Sequence, residues 1–266
     1  MGSELLFVLP GFLLLGAIVG ISAGLLGIGG GLILVPGLYY LLGHSDLNTP
    51  NDNFLIHVAL ATSMAIILPT TLSSSWAQIK RKAVDWELIQ KMAPGLVIGV
   101  TIGVSMVSKI DGEIIKVIFS VGLTLIACSM IFRKETSRSF PFLTQIKWVL
   151  PFSTLFGILA TFLGIGGAVL NVPYLNRAGI PLRTAIATGS VLGAIVAFVA
   201  TFSYAWTAYQ GPKYVDLLAV LMIVPISVVM APIGVKISHA MPVAKLRILF
   251  STLLMLVALK MLSEVI

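Results

Sequence analysis

Apolar stretches long enough, or nearly long enough, to cross a lipid bilayer fill most of this chain, and that property fixes its solvent before any motif is read. A helical crossing takes roughly 20 predominantly apolar residues. Segments 5–26, 54–79, 86–107, 113–132, 148–163, 182–206, 215–237 and 244–262 meet or approach that length. Hydrophobic residues make up 58% of the chain and charged residues 10%, against about 45–50% and 25% in a soluble domain. The expected fold is therefore an all-α polytopic membrane protein. Two further apolar pieces, 30–42 and 167–176, are too short to span. Each follows a glycine run and carries a proline, Pro36 or Pro173, so each reads as a re-entrant half-helix.

The formal charge of +7 does not point to nucleic acid, because the basic residues sit in short clusters between apolar spans. Lys80, Arg81 and Lys82 form one cluster, Arg133, Lys134, Arg138 and Lys147 a second, and Lys236, Lys245 and Arg247 a third. By the positive-inside rule all three face the cytoplasm. The loop 43–53 contains Asp46 and Asp52 but no Lys or Arg, and is expected outside, which places both termini outside as well. The apolar N-terminus lacks the basic flank of a secretory signal and is expected to be retained. Cys128 has no second cysteine to pair with and reads as a small core hydrophobe.

Two segments carry the strongest internal signal: GLLGIGGGLILVP at 24–36 and FLGIGGAVLNVP at 162–173. Gly27, Ile28, Gly29, Gly30, Val35 and Pro36 match Gly164, Ile165, Gly166, Gly167, Val172 and Pro173 at a constant offset of 137. Ala59, Ala61 and Thr62 match Ala185, Ala187 and Thr188 at 126, and Val84, Asp85, Pro94, Gly103 and Val104 match Val215, Asp216, Pro225, Gly234 and Val235 at 131. The order is kept throughout, as duplication would leave it. The expected organisation is a first transmembrane repeat at 1–133, a cytoplasmic linker at 134–146 and a second repeat at 147–266 of opposite orientation.

Flexible backbone at membrane depth is tolerated where it lines a cavity, and broken helices at matched places of two related halves point to a transporter's site. A half-helix opening at Gly30 or Gly167 presents unpaired N–H groups at a partly positive end. The amides of Gly29, Gly30 and Gly31, and of Gly166, Gly167 and Ala168, are the candidate anion nests. Thr62, Ser63, Thr188 and Ser190 supply hydroxyls nearby. Asn171 adds an amide where the first copy has Leu34. Close packing of small residues and hydroxyls bonded to their own helix compete with this reading at each position. Asp85 and Asp216 read as helix caps. His57 reads as an interfacial histidine, with a pH-sensitive gate as its functional alternative.

No Asp, Glu, Lys or Arg lies deep in an assigned span, so the site is expected to be uncharged and suited to an anion. An anion leaving an inside-negative cell runs down the potential, which favours export. The HExxH motif is absent, and His44, His57 and His239 do not fall mid-membrane near a nucleophile, so an enzyme is not expected. A passive anion channel is the main alternative to a carrier.

The paired glycine segments, together with ATS at 61–63 and ATGS at 187–190, resemble the TauE/SafE family of sulfite exporters and toluene-sulfonate uptake permeases. The resemblance covers essentially the whole chain. It implies a transporter of sulfite, organosulfonates or related sulfur-containing anions in a bacterial inner membrane, with the glycine segments as its central pore region and uptake of organosulfonates as a further alternative. Expected partners are a small anionic substrate and the lipid bilayer, with a homodimer left open. Neither nucleic acid, metal nor cofactor is expected.

Overall fold

In lipid every backbone N–H and C=O needs an internal partner, and the α-helix supplies one within each apolar run. The computed structural model describes residues 2–26, 30–43, 52–131, 140–209 and 214–240, with Thr252, Met255, Leu256 and Leu259 beyond them. Among these the order is α1 (Gly2–Leu26), α2 (Gly31–Gly43), α3 (Asp52–Lys80), α4 (Trp86–Val107), α5 (Gly112–Ile131), a 3-10 turn (Pro141–Thr144), α6 (Ile146–Phe162), α7 (Ala168–Arg177), α8 (Leu182–Tyr209) and α9 (Leu217–Ala240). There is no strand among the described residues.

Boundaries follow local chemistry. Asp85 caps α4, its carboxylate accepting the Leu88 N–H at 3.1 Å, so the helix begins at Trp86 as the sequence predicts. Lys82, at φ 54°, turns the chain out of α3 just before that cap. α2 and α7, of 13 and 10 residues, occupy the two short apolar pieces, with Pro36 and Pro173 inside them. At about 1.5 Å per residue neither crosses a bilayer core of about 30 Å.

Four described helical segments have the length and composition of membrane spans: Phe54–Lys80, Trp86–Val107, Leu182–Thr207 and Leu217–Ile237. The apolar stretches Leu9–Leu25 and Ile146–Phe162 fall just short of that length. The expectation of eight spans is thus met in part, and the stretch 244–262 lies mostly outside the described residues. The multi-pass character is plain.

Helix pairing is governed by small residues. α1 packs along α9, and α4 along α6. A Cβ added at Gly24 would stand 2.0 Å from the Ala231 carbonyl oxygen, and one at Gly99 2.0 Å from that of Thr154. Gly16, Gly20 and Gly24 recur every fourth residue on α1, as Gly95, Gly99 and Gly103 do on α4, so each triplet forms a bare stripe along which backbones meet. In lipid, where burying Leu gains little over leaving it in acyl chains, such close contact is a main source of association.

α3 is the most enclosed of the long helices and packs against α8, α9 and α2. Its C-terminal half is polar yet buried. The Thr70 and Ser227 hydroxyls meet at 2.7 Å between α3 and α9, and Ser73 Oγ donates to the Val228 carbonyl at 2.9 Å. The segment 140–144 docks on α7, where Tyr174 Oη donates to the Leu143 carbonyl and the Phe140 N–H to that of Arg177.

Candidate functional site

The glycines that precede α2 and α7 bend the chain in the same way. Gly30 has φ 69° and Gly167 φ 71°, left-handed values that a Cβ disfavours, and the two positions are 137 residues apart in the numbering. Gly30 O accepts from the N–H groups of Ile33 and Leu34, and Gly167 O accepts from those of Leu170 and Asn171, so each glycine opens the short helix after it. Gly164, at φ 56°, adds a second bend to the latter run.

The two runs touch. A Cβ on Gly31 would stand 2.4 Å from the Gly164 carbonyl oxygen and 2.8 Å from Ile165 Cα, which places the start of α2 against the second run. Ser63 Oγ donates to that same Gly164 carbonyl at 3.2 Å and to the Leu60 carbonyl at 2.6 Å. On the other side Gly193 of α8 comes up to Gly166, whose carbonyl oxygen a Cβ at Gly193 would approach to 2.6 Å. Glycine at 31 and 193 therefore answers to close packing.

The candidate residues fall into separate roles within this region. Gly30, Gly31, Gly166, Gly167, Ala168 and Asn171 surround the helix breaks. Gly29 lies outside the described residues. The Ala168 N–H turns back to the Gly166 carbonyl at 2.9 Å, which takes it out of the expected nest. Ser190 Oγ donates to the Ile186 carbonyl at 3.0 Å, one helical turn back.

Thr62 and Thr188 carry a joint the sequence reading did not foresee. Thr62 Oγ1 accepts the Asp216 N–H at 2.9 Å, and Thr188 Oγ1 accepts the Asp85 N–H at 3.0 Å. Asp216 in turn accepts from the Ala219 N–H at 2.7 Å, as Asp85 does from Leu88. Each threonine thus seats the capped start of a helix from the other half of the sequence. An oxygen that accepts still has a proton to give, but its position is set by this joint.

Asn171 stands apart. It is 0% exposed, and neither its amide nitrogen nor its carbonyl oxygen has a hydrogen-bond partner. Its Nδ2 lies 3.5 Å from where a Cβ on Gly167 would be, so the unpaired amide sits at the bend that opens α7. A buried polar group left this way costs about 1–3 kcal/mol. Among the described residues no group of three or more His, Cys, Asp or Glu side chains is placed to hold a metal.

The family model for "Sulfite exporter TauE/SafE" matches residues 12–261. The chain belongs to that family. This TauE/SafE protein is 31% identical to a probable membrane transporter protein of Haemophilus influenzae, covering 94% of this chain and 96% of that one. It is 26% identical to one of Methanocaldococcus jannaschii, covering 97% of each, and 25% identical to one of Bacillus subtilis, covering 94% and 96%. No solved structure matches it. The TauE/SafE protein is accordingly a transmembrane transporter and not an enzyme. The features missed from its sequence were the threonine-to-cap joints and the glycine stripes; the four-residue glycine spacing of α1 and α4 was the available signal for the stripes.

Proposed function

We propose that this transporter moves a small sulfur-containing oxyanion, sulfite or an organosulfonate, across a bacterial inner membrane by alternating access. The observation that carries the proposal is the fully buried, unpartnered Asn171 amide beside the left-handed Gly167. An oxyanion offers what that amide lacks, an acceptor for Nδ2–H, and the partly positive start of α7 favours a negative guest. The family's printed name supports the sulfur chemistry.

Two inverted halves, 1–133 and 147–266 joined by 134–146, give the frame. Matched left-handed glycines and reciprocal threonine-to-cap bonds support that reading. The basic clusters support a cytoplasmic 134–146 and termini on the outside. The cargo sits between the helix breaks, held by the backbone of Gly30, Gly31, Gly166 and Gly167 and by Asn171, with Ser63 and the two threonines fixing the walls. Export needs no coupling ion, since each negative charge leaving gains about 2.3 kcal/mol per 100 mV.

The test is thermal stabilisation of the detergent-purified protein by sulfite, thiosulfate, sulfoacetate, taurine and sulfate. A ligand at 100 times its Kd adds about 2.7 kcal/mol. Stabilisation by sulfite or a sulfonate is expected. No response to any sulfur anion at millimolar concentration contradicts the reading.

A further inference from the structure

Near the start of α3, four rings from three segments close together. Phe54 stacks on His57 with centroids 5.2 Å apart and on Tyr214 at 5.2 Å, and Tyr204 of α8 lies 6.2 Å from Tyr214. His57 Nε2 is 3.2 Å from the Val107 carbonyl oxygen and 3.0 Å from that of Ile110, at the end of α4 and in the turn beyond it. Carbonyls only accept, so Nε2 carries the hydrogen and the neutral ring keeps a lone pair on Nδ1. Nδ1 has no partner although His57 is 4% exposed, and the Tyr204 hydroxyl, at 0%, has none either. Among the described residues His57 is the one buried side chain of a type that ordinarily titrates near neutral pH.

We propose that His57 Nδ1 is a proton-binding site and that the Phe54, His57, Tyr204 and Tyr214 rings form a gate which protonation opens. With the rings closed, a proton on Nδ1 would place charge where no acceptor and no water reach it. Parting the rings admits water to Nδ1–H, so a protonated ring is hydrated only in the open form and acid shifts the population toward that form.

The surrounding charges leave this balance to water. Lys109 and Asp111 flank Ile110, and the Asp111 carboxylate accepts the Glu113 N–H. On α5 Lys116 lies over the Tyr39 ring of α2, where Tyr40 follows, and Glu113 is exposed. Before α9, Asp216 caps its own helix. Burial pushes the Tyr214 phenol up and keeps it neutral.

The gate rests on the alternating-access reading, but its test needs no sulfur anion and so fails or succeeds apart from the cargo. Ala61, buried one turn below His57, is replaced by cysteine in a Cys128→Ala background and the full chain is placed in nanodiscs. Labelling by a water-soluble thiol reagent is measured at about pH 5.5 and about pH 7.5, relative to glutathione in the same buffer. A several-fold rise on acidification is expected, and none after His57→Gln, whose amide nitrogen still serves the two carbonyls. No rise with His57 present, or the same rise with Gln, overturns the proposal. Nitrogen shifts of isotope-labelled histidine in the unsubstituted protein provide an independent reading. A His57 proton on Nε2 at the higher pH is expected, and one on Nδ1 overturns the proposal whatever the variants do.

Discussion

The Thr62 hydroxyl oxygen accepts the backbone N–H of Asp216 across 154 residues of sequence, and Thr188 does the same for Asp85. Two short polar contacts thus hold the first turns of α9 and α4 against α3 and α8. Thr62→Val and Thr188→Val each leave a part-buried N–H without its partner, at about 1 kcal/mol. Thermal melts of the purified protein should fall for each, add for the pair because the joints share no partner, and recover with Thr→Ser at either site.

Glycine stripes make a different demand. At Gly24 and Gly99 a side chain would run into backbone, which cannot step aside as a flexible side chain does. Gly24→Leu and Gly99→Leu should each destabilise by about 1–3 kcal/mol or more, whereas the same change at exposed Val97 should leave the melt unchanged. Detergent-resistant yield and melting temperature read both.

Asn171 separates a binding role from a packing role in one variant. If its amide waits for cargo, Asn171→Leu removes an unpaid polar burial of about 1–3 kcal/mol and should raise the melting temperature of the empty protein while abolishing its response to sulfur anions. A structural amide would give a lower melt instead. Leu34 already stands at the matching place in the first half, buried at 0%, so the substitution has a precedent within the fold.

Much of this fold can be read directly from the residues. The predicted span 86–107 coincides with α4, because Asp85 announces the cap and Ser108 follows the last apolar turn. The half-helices were legible because a glycine run beside an apolar piece too short to span permits little else. The roles of Thr62 and Thr188 were not. A hydroxyl inside a helix looks the same from its sequence whether it faces cargo, its own carbonyl or a distant N–H, and the partners here lie more than a hundred residues away. Asn171 was visible as a break in the repeat, but its lack of any partner is a property of packing alone.

Left-handed backbone at Gly30 and Gly167 gives a further expectation. Alanine at either position meets a penalty of about 1–2 kcal/mol for the conformation itself. Beyond that, the Gly30 Cβ would stand 2.7 Å from Val19 Cγ1 and the Gly167 Cβ 3.1 Å from Val196 Cγ2. Gly30→Ala should therefore cost more stability than Gly167→Ala, as denaturant titration in detergent would measure.

Sulfite flux from proteoliposomes, with Gly30→Val and Gly167→Val beside the unsubstituted protein, tests the central claim most directly. The account predicts saturable flux for the unsubstituted protein and loss of flux in both variants, with both still inserted and monodisperse. Undiminished sulfite flux through both variants would contradict it.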